Sequence, residues 1–335
     1  MRRFLNKAIL FSIIILILSI ALDRMICRGL LSMEDYRFQD YAAMLDGGMN
    51  NEVLILGNSR GKSHFDPFII DSICQTNSYC IGIGGYPINV QRAKYNLYKE
   101  HNDKPRILVL NVDHMTLSLF NDVRHQHQSE QFFPLVYDSV MRKELKNLGY
   151  GFAELNIPLY RMLGYQQVIK NGLLEALHLK HYVSRPAYKG HRPEEGVWNG
   201  SELDNMAVHD VEIPDEARVF FESFLEECHK DSVNVVLVNS PMYEGAKEKL
   251  LGLDAIQRYF KEVASRFGYH YLDYTDDEIC RDTSNFCVSV HMNPEATKAF
   301  SKEFSEELSR IMDGKSCTRL GNEKSIPPLT RSNAL

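Results

Sequence analysis

The chain has 335 residues, enough for one sizeable hydrophobic core with accessory segments. Its 38 Lys+Arg against 44 Asp+Glu leave a formal charge of −6 with no long basic run, which argues against a nucleic-acid partner. Charged residues at 24% and hydrophobic residues at 44% mark a globular protein rather than a disordered one.

The first element departs from that ordinary picture. Arg2, Arg3 and Lys7 precede the apolar run Ala8–Leu22, which Asp23 and Arg24 interrupt and Met25–Ile26 briefly resume. A secretory h-region takes about 7–15 apolar residues and a full membrane span about 20, so this segment falls between the two. The favoured expectation is an uncleaved signal anchor over residues 1–30. Cleavage near Ser19-Ile20-Ala21 and a buried core helix are the alternatives. Three cations before the run place the N-terminus in the cytoplasm. The expectation is therefore a single-pass bacterial inner-membrane protein with its body in the periplasm or on the exterior.

From Glu52 the chain alternates short apolar runs with amphipathic stretches. Val53–Leu56 predicts a first strand ending at Gly57-Asn58-Ser59-Arg60, and Tyr79–Ile83 a second ending at Gly84-Gly85-Tyr86-Pro87. A helix follows over Ile88–Glu100, then a third strand over Ile107–Val112. Between about 115 and 213 lies a segment too long for a loop, read as a largely helical insertion. Asp215–Glu227 predicts a helix, with Phe220–Phe224 as core packing, and Val233–Val238 a fourth strand. Asp254–Phe267 is the next helix, with Asp254 as its N-cap. Tyr269–Leu272 gives a fifth strand and Pro294–Ile311 a closing helix. Residues 313–335 read as a polar tail.

Continuous apolar strands separated by helices define the α/β class: three α/β/α layers around a mostly parallel five-stranded sheet. Ligand sites in such sheets lie at the carboxyl ends of the strands. Here those ends are Gly57–Arg60, Gly84–Pro87, Asn111–His114, Asn239–Pro241 and Asp273–Asp277.

The seven cysteines (Cys27, Cys74, Cys80, Cys228, Cys280, Cys287 and Cys317) include no CxxC pair, which argues against a zinc site. Cys280 and Cys287 bracket one short loop and are the pair a disulfide would join; free thiols packing as small hydrophobes are the equal alternative. His125-x-His127 lacks partner ligands and reads as a solvated loop. Asp113-His114 reads as turn chemistry, and Gly82-x-Gly84-Gly85 misses the dinucleotide spacing.

Ser59 stands where a buried strand turns into a helix, and serine needs a base within hydrogen-bond reach to act as a nucleophile. His291, in His291-Met292-Asn293-Pro294 before the last helix, is the candidate base. Gly57-Asn58-Ser59 after the first strand, Gly85 after the second, Asn111 after the third and a late His-x-Asn resemble the SGNH/GDSL hydrolases. The envelope-anchored branch, which acts in O-acylation of cell-surface polymers, is the nearest likeness. The resemblance covers roughly Glu52–Asn111 and Val233–Ile311. It implies Ser59 as nucleophile and His291 as base, with Ser59 N–H, Gly85 N–H and the Asn111 side chain as oxyanion donors. It implies a serine esterase or acyltransferase acting on acyl esters of envelope carbohydrate, with no metal or organic cofactor.

One departure stands against the likeness. Three residues before His291, where the family places an aspartate, this chain has Val288. A Ser–His dyad, a substitute carboxylate among Asp276, Asp277 and Asp282, or a degenerate glycan-binding protein that partners a membrane acyltransferase are the three readings left.

Overall fold

The computed structural model describes residues 1–184, 187–201, 203 and 206–314. The expected polar tail beyond its first two residues, together with Cys317, lies outside the described residues.

Five strands form one sheet: Val53–Leu56, Ser78–Cys80, Ile107–Asn111, Asn234–Asn239 and His270–Asp273. All pair in parallel, in the order second, first, third, fourth, fifth. The first, third and fourth strands are Val/Ile/Leu runs buried almost end to end, as a sheet covered on both faces requires. Successive side chains alternate between the two faces. Leu54, Leu56, Leu108, Leu110, Val235 and Leu237 pack on the helices Ile88–His101, Asp215–Lys230 and Leu253–Phe267. Val53, Ile55, Val109, Val236 and Val238 pack instead on Phe300, Phe304 and Leu308 of the closing helix Pro294–Met312, with Phe65 and Ile70. Three α/β/α layers result.

Two details depart from expectation. The second strand closes after Cys80, yet Ile81 N–H still donates to Ile55 O at 2.8 Å and Ile83 N–H to Gly57 O at 2.9 Å. The chain thus tracks the first strand far enough to deliver Gly84-Gly85 beside Ser59. Asp254 is not a cap: Gly252, at φ +84°, holds that position, and Asp254 lies in the first turn, where its charge suits the helix dipole.

The N-terminal helix, Arg2–Ser32, is long and apolar enough to cross a membrane. Apolar residues from Phe4 to Ile20 are exposed. Beyond them the helix joins the body: Ile26, Cys27, Leu30 and Met33 pack with Phe38, Phe133 and Met162. Asp23 is wholly buried. Its carboxylate takes both arms of Arg161, at 2.5 and 2.8 Å, together with the Tyr137 hydroxyl at 2.7 Å and Leu159 N–H at 2.6 Å. Gly29 crosses Gly172 of the helix Gln166–Ala176 so closely that a Cβ on Gly29 would fall 1.8 Å from the Gly172 carbonyl oxygen.

The insertion divides into two parts. Ser129–Tyr137 (3-10), Ser139–Asn147, Phe152–Asn156 and Gln166–Ala176 are helical. From 177 to 213 no α-helix occurs among the described residues, so the expectation of a largely helical insertion holds only for its first half. Within the second half, residues 187–201 form a strap hydrogen-bonded in turn to Cys80 of the edge strand, Lys62 of the helix after the first strand and Phe286 near the closing helix.

Cys280 and Cys287 are free thiols. Each thiol donates to a different carbonyl, Cys280 to Tyr274 O and Cys287 to His291 O, and no disulfide joins them.

Candidate active site

The first strand ends at Leu56, and after Gly57 the helix Ser59–Ser63 begins at once, with the Asn58 side chain accepting Arg60 N–H as its cap. The helix can lie this close to the sheet because both positions lack a side chain: a Cβ on Gly57 would fall 2.8 Å from the Asn111 Cβ, and one on Gly61 3.2 Å from the Leu56 carbonyl oxygen. Ser59 is thereby lifted to the sheet's carboxyl edge. From the other end of the chain, Phe286–Val288 and His291–Met292 form a small antiparallel hairpin, followed by Asn293, whose side chain caps the closing helix. The hairpin delivers His291 so that its Nε2 lies 2.8 Å from Ser59 Oγ. Residues 232 positions apart therefore share a hydrogen bond.

Burial lowers the pKa of His291. The Glu194 charge opposes that shift, Arg60 and Arg192 reinforce it, and Asp113 opposes it weakly. A lowered pKa keeps the imidazole neutral near pH 7, the state a general base needs.

The cavity around the pair holds about 190 Å³ and is lined by Ser59 and His291 with Tyr36, Lys62, Gly84, Gly85, Arg192 and Glu194 among its walls. A larger cleft of about 520 Å³ between Glu244–Asp254 and Thr275–Arg281 contains neither Ser59 nor His291. The chemistry points to the smaller one. The glycine run has its reason here. A Cβ on Gly82 would meet Lys62 N at 2.8 Å, so the missing side chain there lets this turn close over the serine helix.

Asn111 is placed differently from its three companions. It is wholly buried, packed beneath Gly57 and Gly61, and neither atom of its amide has a hydrogen-bond partner. An orphaned buried amide is costly and calls for a reason.

Sequence reading missed a polar layer under the site. Arg60, next to the serine and almost fully buried, reaches Asp113 at 3.4 Å, Asn239 Oδ1 at 3.3 Å and the Ser240 carbonyl. Asn58 Nδ2 donates to the same Asp113 carboxylate at 2.7 Å. One arginine thus ties together the ends of the first, third and fourth strands. Asp113 also caps the turn after it by accepting Thr116 N–H at 3.1 Å, which is the turn role expected of it. Lys62 and Lys94 converge on buried Asp40, at 3.0 and 2.9 Å. The signal for this layer was the cation pair in Ser59-Arg60-Gly61-Lys62, too short a pattern to assign partners. His127 is exposed yet lines the cavity. Among the described residues no group of three His, Cys, Asp or Glu is placed to hold a metal.

The fold and site define an α/β protein with a serine–histidine pair at the carboxyl edge of a parallel sheet. No protein-family model matches the chain, and no curated protein matches it. Among solved structures, a mutant acetyl-xylooligosaccharide esterase from Geobacillus is similar at a TM-score of 0.37 and 10% identity, over 80% of this chain and 96% of that one. A likeness so distant carries none of the argument, which stands on the geometry.

Proposed function

We propose that this protein is a membrane-anchored serine esterase or acyltransferase of SGNH type, acting on acyl esters of envelope carbohydrate. The observation that carries the reading is the 2.8 Å contact between Ser59 Oγ and His291 Nε2. Ser59 Oγ attacks the ester carbonyl while His291 Nε2 takes the hydroxyl proton, giving a tetrahedral oxyanion; as it collapses, the C–O bond to the alcohol breaks, His291 hands that proton to the leaving oxygen, and the acyl-enzyme remains. Water as acceptor gives hydrolysis, and a sugar hydroxyl gives transfer. The Ser59 and Gly85 N–H groups are the proposed oxyanion donors, with the unpaired Asn111 amide as the third. No cofactor enters this chemistry. Envelope carbohydrate as substrate comes from the motif likeness alone. The exposed apolar length from Phe4 to Ile20, continuous with a helix clamped into the body, supports an anchor; a body in the periplasm or on the exterior rests on Arg2, Arg3 and Lys7 before the apolar run.

A second reading, a glycan-binding or assembly protein partnering a membrane acyltransferase, draws on one observation: among the described residues no carboxylate hydrogen-bonds His291. A fluorophosphonate probe separates the two. Labelling of the full-length protein that is lost in Ser59→Ala supports the enzyme. A folded protein that resists the probe from pH 5 to pH 9 would leave the binding reading standing.

A further inference from the structure

The aspartates nearest in sequence that could substitute for a carboxylate at Val288 are engaged elsewhere. Asp276 pairs with Lys247 at the surface, Asp277 accepts Ile279 N–H at 3.1 Å, and Asp282 accepts Ser284 N–H at 2.8 Å. The strap offers another carboxylate. Cys80 N–H donates to Lys189 O at 2.9 Å, fastening the strap to the edge strand, and Arg192 N–H donates to Lys62 O at 3.1 Å, fastening it to the serine helix. Downstream, Trp198 N–H donates to Phe286 O at 2.9 Å, on the hairpin that carries His291. Gly196 lies against Cys287 of that hairpin. Between these pins Glu194 lines the cavity with Ser59 and His291, and one of its oxygens is paired with Arg192.

We propose that Glu194 is the positioning carboxylate for His291, supplied from the strap in place of the one absent at Val288. The proposal rests on the serine-enzyme reading. As Ser59 passes its proton to His291 Nε2, the imidazolium that forms shares its cavity with Glu194 as anion and Arg37, Lys62 and Arg192 as cations, with the buried Arg60–Asp113 pair under the site and His64 edge to face, held neutral by burial. Of the two anions only Glu194 lines the cavity with His291; Asp113 is buried against Arg60 and Asn58. The proton stays on His291, and Glu194 stays ionised throughout. The strap thereby joins nucleophile, base and counter-charge.

The test compares wild type, Glu194→Gln, Glu194→Asp, Arg192→Gln and the double variant Arg192→Gln/Glu194→Gln, as full-length protein in detergent micelles. Two readings are taken: the pH dependence of fluorophosphonate labelling, and NMR titration of the His291 ring. Glu194→Gln is expected to slow labelling about tenfold, well short of the roughly 10⁴ lost when a hydrogen-bonded triad carboxylate is neutralised. Its acid limb and the His291 titration should both move to lower pH. Glu194→Asp should recover part of the rate. Arg192→Gln should move the limb upward, and the double variant should lie between the two singles. A Glu194→Gln protein with wild-type rate and an unmoved limb would overturn the proposal. If wild type does not label at all, the enzyme reading fails separately. The NMR titration then decides alone: an unmoved His291 overturns the role of Glu194, and a downward shift upholds it.

Discussion

His64 and His291 meet edge to face, with ring centroids 6.1 Å apart and ring planes at 88°. The two rings do opposite work. His64 is wholly buried. It accepts Met292 N–H on Nε2 at 3.2 Å, which puts its proton on Nδ1, facing Ser240 Oγ at 2.9 Å. It is a brace between the serine helix, the hairpin and the end of the fourth strand. His291, its neighbour, keeps one nitrogen for Ser59.

Replacing His64 by Leu leaves the buried Met292 N–H without a partner, a loss of about 1–3 kcal/mol. The expected result is a lower Tm by thermal denaturation and slower serine labelling, because the hairpin carrying His291 loses its brace. An unchanged Tm would show that the brace is dispensable.

The proposed activity should persist below pH 6.5. As the proposed base His291 would work only while neutral, and burial lowers its pKa below the usual 6.5. As pH falls, the rate should therefore hold past 6.5 and drop only below it, where the ring takes its proton. A pH–rate profile with an acid limb above 6.5 would contradict this placement of the ring.

Gly190 is the strap's tightest point. Its φ is +73°, and a Cβ would sit 1.7 Å from the Cys80 carbonyl oxygen. Gly190→Ala is expected to cost about 1–3 kcal/mol through backbone strain and displacement, lowering Tm. Because the same strap carries Arg192 and Glu194, labelling should slow in the same variant even at temperatures where it stays folded.

The sheet was legible because its strands are unbroken runs of Val, Ile and Leu, a pattern that follows from burial on both faces. Ser59 and His291 were legible for a different reason: each lies at an element boundary, and in a parallel sheet such boundaries converge on one edge. The Asp23–Arg161 pair was invisible, since an acid closing an apolar run looks like the end of a span, and its partner comes from a segment without marked periodicity. Glu194 lay hidden in the same way. The strap takes its shape from hydrogen bonds to other elements rather than from its own residue pattern, so nothing local announces what it holds. Asn111 shows the converse. Its position in the chain was clear, but its side-chain direction depends on which face of the third strand it occupies.

Breaking the Asp23–Arg161 pair from one side should be severe. Arg161→Met strands a buried carboxylate, and Asp23→Asn strands a buried guanidinium, each at about 3–5 kcal/mol. The double variant Asp23→Leu/Arg161→Met should recover much of the loss, since two apolar side chains leave no unpaired charge. Thermal denaturation in detergent checks all three. A double variant as damaged as the singles would show that the pair contributes more than charge neutrality.

The glycine crossing between Gly29 and Gly172 has a further consequence. A flexible linker would let the body wander over a wide volume above the bilayer, whereas a helix locked into the fold by backbone contact gives the cavity mouth one altitude and one tilt. Were the helix to span a bilayer and the proposed chemistry to hold, esters presented at that height would reach the serine first, so geometry relative to the lipid would itself select substrates.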